Sequence, residues 1–131
     1  MSESSFEFSE APISRLVGFD VEPGPPGEAT VGIQCDRRHH NPMARVHGGL
    51  IAALADAAMG IAFGRTLVDD QDFSTIEMKI NFIRPVREGR ILAKAKVVER
   101  GLRIGFVDCE ITNDRGKRIA TATSTCTVIS K

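Results

Sequence analysis

His47, Gly48, Gly49 and Asp56 bring an imidazole, two unhindered backbone amides and a carboxylate into one short stretch of the chain. The glycine pair stands where a long apolar run begins, at residues 50–63. If that run is a helix, its first backbone N–H groups have no intrahelical acceptor and carry the positive end of the helix dipole. Glycine there lets a ligand oxygen approach closely. Such a terminus can polarise a carbonyl and stabilise an oxyanion; the plain alternative is a turn that starts a helix. Asp56 is the only charge within residues 50–63. A carboxylate buried without a partner costs several kcal/mol or takes up a proton. Asp56 is therefore either a structural acid satisfied by a local hydrogen bond or a carboxylate facing a cleft.

Gly49 and Asp56 are seven residues apart, which puts them on one helix face with Ala52 and Ala53 between them. Small residues there leave room for a ligand. Along the axis the two are about 10 Å apart. A reacting carbonyl needs its oxygen at the N–H donor and its carbon beside the carboxylate or its water, within about 3 to 3.5 Å. One helix cannot easily do both. Two antiparallel copies related by a two-fold axis can bring Gly48 or Gly49 of one chain to Asp56 of the other, so a homo-oligomer is expected.

The apolar periodicity outlines the helices and strands around these groups. Pro12 fits the first turn of a short helix carrying Ile13, Leu16 and Val17. Pro23-Gly24-Pro25-Pro26-Gly27 is a rigid turn. Residues 28–35 alternate, with Ala29, Val31, Ile33 and Cys35 on one face, as a strand does. The Ala-, Leu- and Met-rich run favours helix and, being apolar on every side, predicts a helix buried all round. Extended segments follow at 74–83, 90–100, 103–112 and 117–129. The first carries Ile76, Met78, Ile80 and Phe82 on one face; the last carries Thr121, Thr123, Thr125 and Thr127 on one face and Ala122, Ser124, Cys126 and Val128 on the other. They read as hairpins joined by short turns. The expected fold class is α+β, a long buried helix wrapped by a curled antiparallel sheet, in one domain spanning residues 1–131 with a frayed arm at 1–10.

Composition narrows the function. The chain has 131 residues, 42% of them hydrophobic, with 17 basic and 17 acidic side chains. A zero net charge lacks the overall basic footprint of a nucleic-acid binder. Cys35, Cys109 and Cys126 are few, odd in number and far apart, so reduced, structural thiols are expected. Residues 1–10 are acidic without a basic-then-apolar signal pattern, and the apolar run is too short to span a bilayer; a cytoplasmic protein that engages no membrane is expected. Arg84, Arg87, Arg90, Arg100 and Arg103 fall at strand ends. They fit either ordinary solvated turns or a cradle for phosphates, which suits the fork geometry of arginine.

Asn41, then His47-Gly48-Gly49, then Asp56 within Leu54-Ala55-Asp56-Ala57-Ala58-Met59-Gly60 resembles the hotdog thioesterases of the phenylacetate-pathway (PaaI-like) group. Ile80-Asn81-Phe82-Ile83-Arg84-Pro85, Glu88-Gly89 and Glu99-Arg100-Gly101 resemble it too. The resemblance runs from about Pro12 to Ile129. It implies an acyl-CoA thioesterase that needs no cofactor beyond the coenzyme A of its substrate and assembles as a dimer or tetramer. It implies that Asp56 is nucleophile or general base, that the Gly48 N–H is the main oxyanion donor, and that Asn41 orients water or the thioester carbonyl. His47 would shape the loop or assist the carbonyl. Thr75, or Ser74 beside it, would hold the water. Gly49 would lie against the substrate, and Phe82 with the Gly101-Leu102 turn would line the pantetheine channel, with Arg84, Arg87, Arg100 and Arg103 on the phosphates. One departure stands out: family members often carry Gly three residues before the His, where this chain has Ala44.

Three other readings compete. Cys35, His39, His40 and His47 are close in sequence but lack the paired spacings of zinc sites. A hydratase or dehydratase on the same fold would place its His and acid differently. A non-catalytic acyl-CoA-binding module would keep the pocket without needing Asp56.

Overall fold

A computed structural model describes residues 11–131; the arm expected over residues 1–10 lies outside the described residues. The chain opens with α1 (Pro12–Val17), which has proline in its first turn and ends at Gly18 in the left-handed conformation, φ 101°. Then come β1 (Asp20–Val21), β2 (Glu28–Cys35), α2 (Gly48–Gly64), β3 (Gln71–Phe82), β4 (Gly89–Arg100), β5 (Ile104–Thr112) and β6 (Arg118–Ser130). Strand β2 coincides with its expected span; β1, two residues long, has no alternation to announce it.

The six strands form one antiparallel sheet in the order β1-β2-β4-β5-β6-β3. The expectation of consecutive hairpins therefore holds for β4-β5-β6 and fails for β3. That strand crosses over to pair with β6, Phe82 opposite Ala120 and Phe73 opposite Val128, and becomes a sheet edge. The sequence pattern fixes which face is apolar, not which neighbour a strand takes, because pairing partners are set by long-range packing.

The sheet curls around α2, which packs chiefly on β4, β2 and β5 and touches β3 and β6 less. Leu54, Ala55, Ala58, Met59, Ile61, Ala62 and Phe63 of the helix are buried against Val31, Ile33, Ile91, Val107 and Ile111 of the strands. Gly105 lets Phe63 lie flat on β5, since a Cβ there would stand 2.4 Å from the Phe63 ring. Fully burying each large side chain of this layer stabilises the fold by about 1.5–3 kcal/mol.

The helix is not buried all round. Gly49 and Asp56 are exposed and Leu50, Ala52, Ala53 and Ala57 are half-buried, whereas residues 58–64 are buried throughout. The sheet covers the second half of the helix and leaves a flank of its first half open towards the β3 edge. A uniformly apolar run cannot report this, because small alanines serve equally well against a sheet or against a second copy of the chain.

Candidate active site

Asp56 sits in the middle of the open flank. Its side chain is exposed in the single chain, yet the apolar atoms around it raise its pKa above the ordinary carboxylate value of 3.8 through desolvation. Its charge is felt at Cys126 on β6, whose thiol is pushed up mainly by burial and further by Asp56 and Glu77, against the lowering effect of Thr75 and Ser124. Asp56, Thr75, Ser124 and Cys126 thus share one corner between α2, β3 and β6.

A β-bulge builds that corner. The β3–β6 register shifts between Thr75 and Glu77. Such an extra residue re-aims side chains on either side of it. Upstream of it, Phe73 packs on Phe63 with ring centroids 5.6 Å apart, and Thr75 turns inward with Oγ1 3.9 Å from Cys126 Sγ. Downstream, Met78 and Ile80 are half-buried on the core side. Ile76, expected on the same face as Met78, is instead 56% exposed. Ser74 is exposed, so of the two hydroxyl residues it is Thr75 that faces the helix.

The helix start lies at the other end of the open flank. His47 is the N-cap, and its Nδ1 accepts a hydrogen bond from the Gly49 N–H at 2.8 Å. The His47 carbonyl accepts from Leu50 and Ile51. Among the described residues the Gly48 N–H has no acceptor, which leaves it as the free donor at the positive end of the helix. Phe82 closes over it, its ring 3.2 Å from where a Gly48 Cβ would stand. Gly49 is required by the cap itself, since a Cβ there would meet the His47 ring at 2.8 Å.

Asn41 anchors the preceding loop. Its Oδ1 accepts from the N–H groups of Met43, at 2.9 Å, and Arg45, at 3.2 Å, and its backbone N–H donates to the Arg45 carbonyl at 2.7 Å. Ala44 in this turn has φ 61°, the left-handed region that glycine fills without strain. The other histidines are structural. His39 Nδ1 accepts from the Asp36 N–H and its Nε2 lies 3.1 Å from the Val17 carbonyl; His40 Nε2 lies 2.6 Å from the Arg87 carbonyl. With Cys35 buried and its thiol pushed up to about 11 by burial, these side chains do not converge; among the described residues no group of three or more His, Cys, Asp or Glu could hold a metal ion. All three cysteines are free and buried.

The arginines do not form one cluster. Arg84 and Arg87 follow β3 near the helix start, while Arg100 and Arg103 flank the β4–β5 turn near the helix end. A helix of this length spans about 25 Å, which separates the two groups within one chain. Arg90 is paired with Asp20. Arg84 donates to the Arg118 carbonyl. Arg100 donates to Thr66 Oγ1 at 2.9 Å and lies over the Phe63 ring at 5.2 Å. Arg87, Gly101, Leu102 and Arg103 are exposed. A cavity of about 280 Å³ beside Pro23, Arg65 and Lys96 shares no residue with the corner around Asp56.

A long helix wrapped by this curled six-stranded antiparallel sheet is the hotdog fold. Residues 43–120 match the family model described as the Thioesterase superfamily. The chain belongs to that family and is a thioester hydrolase. The structure is similar to the Escherichia coli PaaI protein from the phenylacetic acid degradation operon, with 25% identity and TM-score 0.87 over 94% of this chain and 88% of that one. A conserved protein of Pseudomonas aeruginosa is 30% identical, with TM-score 0.88 over 95% and 99%. In sequence the chain is 23% identical over 119 residues to the 1,4-dihydroxy-2-naphthoyl-CoA hydrolase of Listeria monocytogenes, covering 91% of this chain and 95% of that one. No helix among the described residues is long and apolar enough to cross a membrane.

Ser124 is the residue of this corner that the motifs do not mark. It is 3% exposed and polar on an inner face otherwise held by Ala122 and Cys126. A hydroxyl at an inward position of an apolar alternation is the signal that points to it.

Proposed function

We propose that the chain is an acyl-CoA thioesterase that works as a homo-oligomer, each site combining the helix start of one subunit with Asp56 of the other. The observation that carries this reading is the open flank of α2, with a pKa-raised carboxylate midway and an unoccupied amide at its start. The Gly48 N–H polarises the thioester carbonyl and takes the developing oxyanion. Asp56 attacks the carbonyl carbon to give a mixed anhydride that water then hydrolyses, or removes a proton from a water that attacks the carbonyl directly; in either route the coenzyme A thiolate departs and takes up a proton, and the free acid is released. Thr75 Oγ1 holds the water beside Asp56. Asn41 and His47 fix the loop that aims Gly48. Low polarity around Asp56 makes its carboxylate a stronger base than a solvated one.

The same two-fold assembly explains the split arginines. Antiparallel helices bring Arg84 and Arg87 of one subunit towards Arg100, Gly101, Leu102 and Arg103 of the other. Coenzyme A then runs from Phe82 towards that paired rim. The open flank and the free edge of β3 make the dimer the minimal unit, and two dimers complete a tetramer. As a neutral protein without a membrane-crossing helix, it works in the cytoplasm on a soluble thioester.

Steady-state hydrolysis of phenylacetyl-, hydroxybenzoyl-, medium- and long-chain acyl-CoA by wild type and Asp56→Ala tests the reading. Turnover that falls by several orders of magnitude in the variant supports it. Equal rates remove Asp56 from the mechanism, and binding of the esters without turnover points to a non-catalytic acyl-CoA module.

A further inference from the structure

Arg65 directly follows α2 and is half-buried against the loop between β1 and β2. Its Nη1 donates to the Glu28 carbonyl at 2.8 Å and its Nη2 to the Glu22 carbonyl at 2.7 Å, so it staples both ends of that loop. Gly24 makes room for it, since a Cβ there would stand 2.8 Å from Nη1. The guanidinium is thus held by carbonyl oxygens, which bring no formal charge to offset its own. It lines the cavity of about 280 Å³ together with Pro23, Pro25, Glu28, Thr30, Lys94 and Lys96.

The two lysines lack a carboxylate as well. Across the β2–β4 pair Lys94 stands opposite Thr30 and Lys96 opposite Glu28. Across β4–β5 they stand opposite Glu110 and Asp108. Glu110 is taken by Arg118 at 2.7 Å. Among the described residues neither Arg65, Lys94 nor Lys96 makes an ion pair. Three cations therefore share one cavity with a single carboxylate, Glu28, in a chain whose net charge is zero. A concave site with a surplus of one sign of charge concentrates counter-ions. The walls are preformed. Pro23, Pro25 and Pro26 fix their own backbone angles, the Glu28 N–H donates to the Pro25 carbonyl at 3.2 Å, and the Val97 N–H donates to the Gly27 carbonyl at 2.8 Å.

We infer that this cavity is a second ligand site, which takes the phosphoryl group of a small anionic molecule. The surplus of two positive charges matches the about −1.5 to −2 that a phosphoryl group carries at neutral pH. The lysine ammoniums, the remaining N–H groups of Arg65 and the Thr30 hydroxyl supply donors for its oxygens. The volume lies just below the about 300–1,000 Å³ of sites that enclose drug-sized ligands. It suits pyrophosphate or a phosphate ester with a short body. Strands β4, β5 and β6 stand between β2 and the β3 strand that carries Thr75, so both sites can be filled at once. The inference goes beyond the thioesterase reading and does not depend on it.

Titration calorimetry with inorganic phosphate, pyrophosphate and adenosine 3′,5′-bisphosphate tests it, at one ionic strength set with sodium chloride. The proteins are wild type, the double variant Lys94→Ala/Lys96→Ala and Glu28→Gln. Both lysines are exposed, so the double variant should fold and hydrolyse its thioester as wild type does. Wild type is expected to bind at least one probe saturably at one site per chain. The double variant should bind it about tenfold or more weakly, having lost two charge-assisted contacts. Glu28→Gln, which removes the opposing charge, should bind it more tightly. A preference for the bisphosphate over pyrophosphate supports the inference with a nucleotide as the source of the phosphoryl group; the reverse supports it with a free phosphate. Absence of saturable binding by every probe overturns it, as does binding that the double variant keeps. A double variant that loses the probe and also raises KM for the thioester assigns the cavity to the thioester site and overturns a second site.

Discussion

His47 Nδ1 accepts the Gly49 amide at 2.8 Å, and this one bond decides which amide of the helix start is left free. The cap uses up Gly49 and releases Gly48. Substituting the cap separates the two duties of His47. In His47→Ala the helix start loses about 1 kcal/mol, whereas His47→Asn, another good N-cap, keeps most of it. Urea unfolding of the two variants checks this, and a His47→Ala protein as stable as wild type would show that the cap contributes nothing.

Asp56 carries a pKa raised by desolvation. The reaction needs the ionised form, so the acid limb of the pH profile of kcat/KM lies above the ordinary carboxylate pKa of about 3.9. The sign for stability is opposite to that of a salt-bridged acid. Folding disfavours the charged form, so the folded state loses stability as pH rises through the folded pKa and recovers it below. Asp56→Asn should therefore melt higher than wild type at neutral pH while its turnover falls by several orders of magnitude. Thermal scans at pH 4 and pH 7 read the effect, whose size shrinks at the lower pH.

Thr75 and Ser74 are adjacent in sequence and opposite in direction, as neighbours in a strand are, and the bulge after Thr75 decides which of the two faces inward. Thr75→Val keeps the shape and removes the hydroxyl that faces Cys126. Turnover should fall about ten- to a hundredfold, the cost of a misplaced reacting water. Ser74→Ala leaves turnover unchanged. The reverse pattern would mean that the strand slips by one residue when substrate binds.

Much of the site was legible in the chain because it is local. The glycine pair, the lone Asp56 and the span of β2 follow from spacing and alternation within a few residues. What escaped is non-local. The crossover of β3 to β6 is set by long-range packing, and the outward turn of Ile76 and the inward turn of Thr75 come from a bulge that no period-2 pattern announces. The open flank escaped because alanine is neutral between a sheet and a cleft. Ala44 shows the opposite case. The substitution of Ala for the Gly usual in the family marked the position, and the structure finds it at φ 61°.

That backbone angle makes Ala44→Gly a stabilising change. Relief of the left-handed strain is worth about 1–2 kcal/mol, offset in part by the greater freedom of glycine in the unfolded chain. A net gain of about 0.5–1 kcal/mol is expected in the urea midpoint, with the Asn41 turn intact and turnover retained.

Gly48→Pro offers the sharpest test of the oxyanion donor and of the shared site. Proline is favoured at the first helical position because its missing N–H has no partner there. The preceding residue, His47, already has the extended backbone that proline demands, φ −61° and ψ 133°. The substitution therefore removes the proposed donor while leaving the helix start in place; Gly48→Ala, which keeps the N–H and brings a Cβ against the Phe82 ring, controls for crowding. Loss of one such donor costs about 10²- to 10³-fold in kcat, so Gly48→Pro should fall that far and Gly48→Ala much less. Mixing Gly48→Pro with Asp56→Ala subunits then distinguishes the two arrangements of the site. If the donor of one subunit serves the carboxylate of the other, each mixed dimer contains one intact site, and activity returns when two inactive proteins are unfolded together and refolded. If donor and carboxylate act within one chain, every site in the mixture carries a lesion and no activity returns.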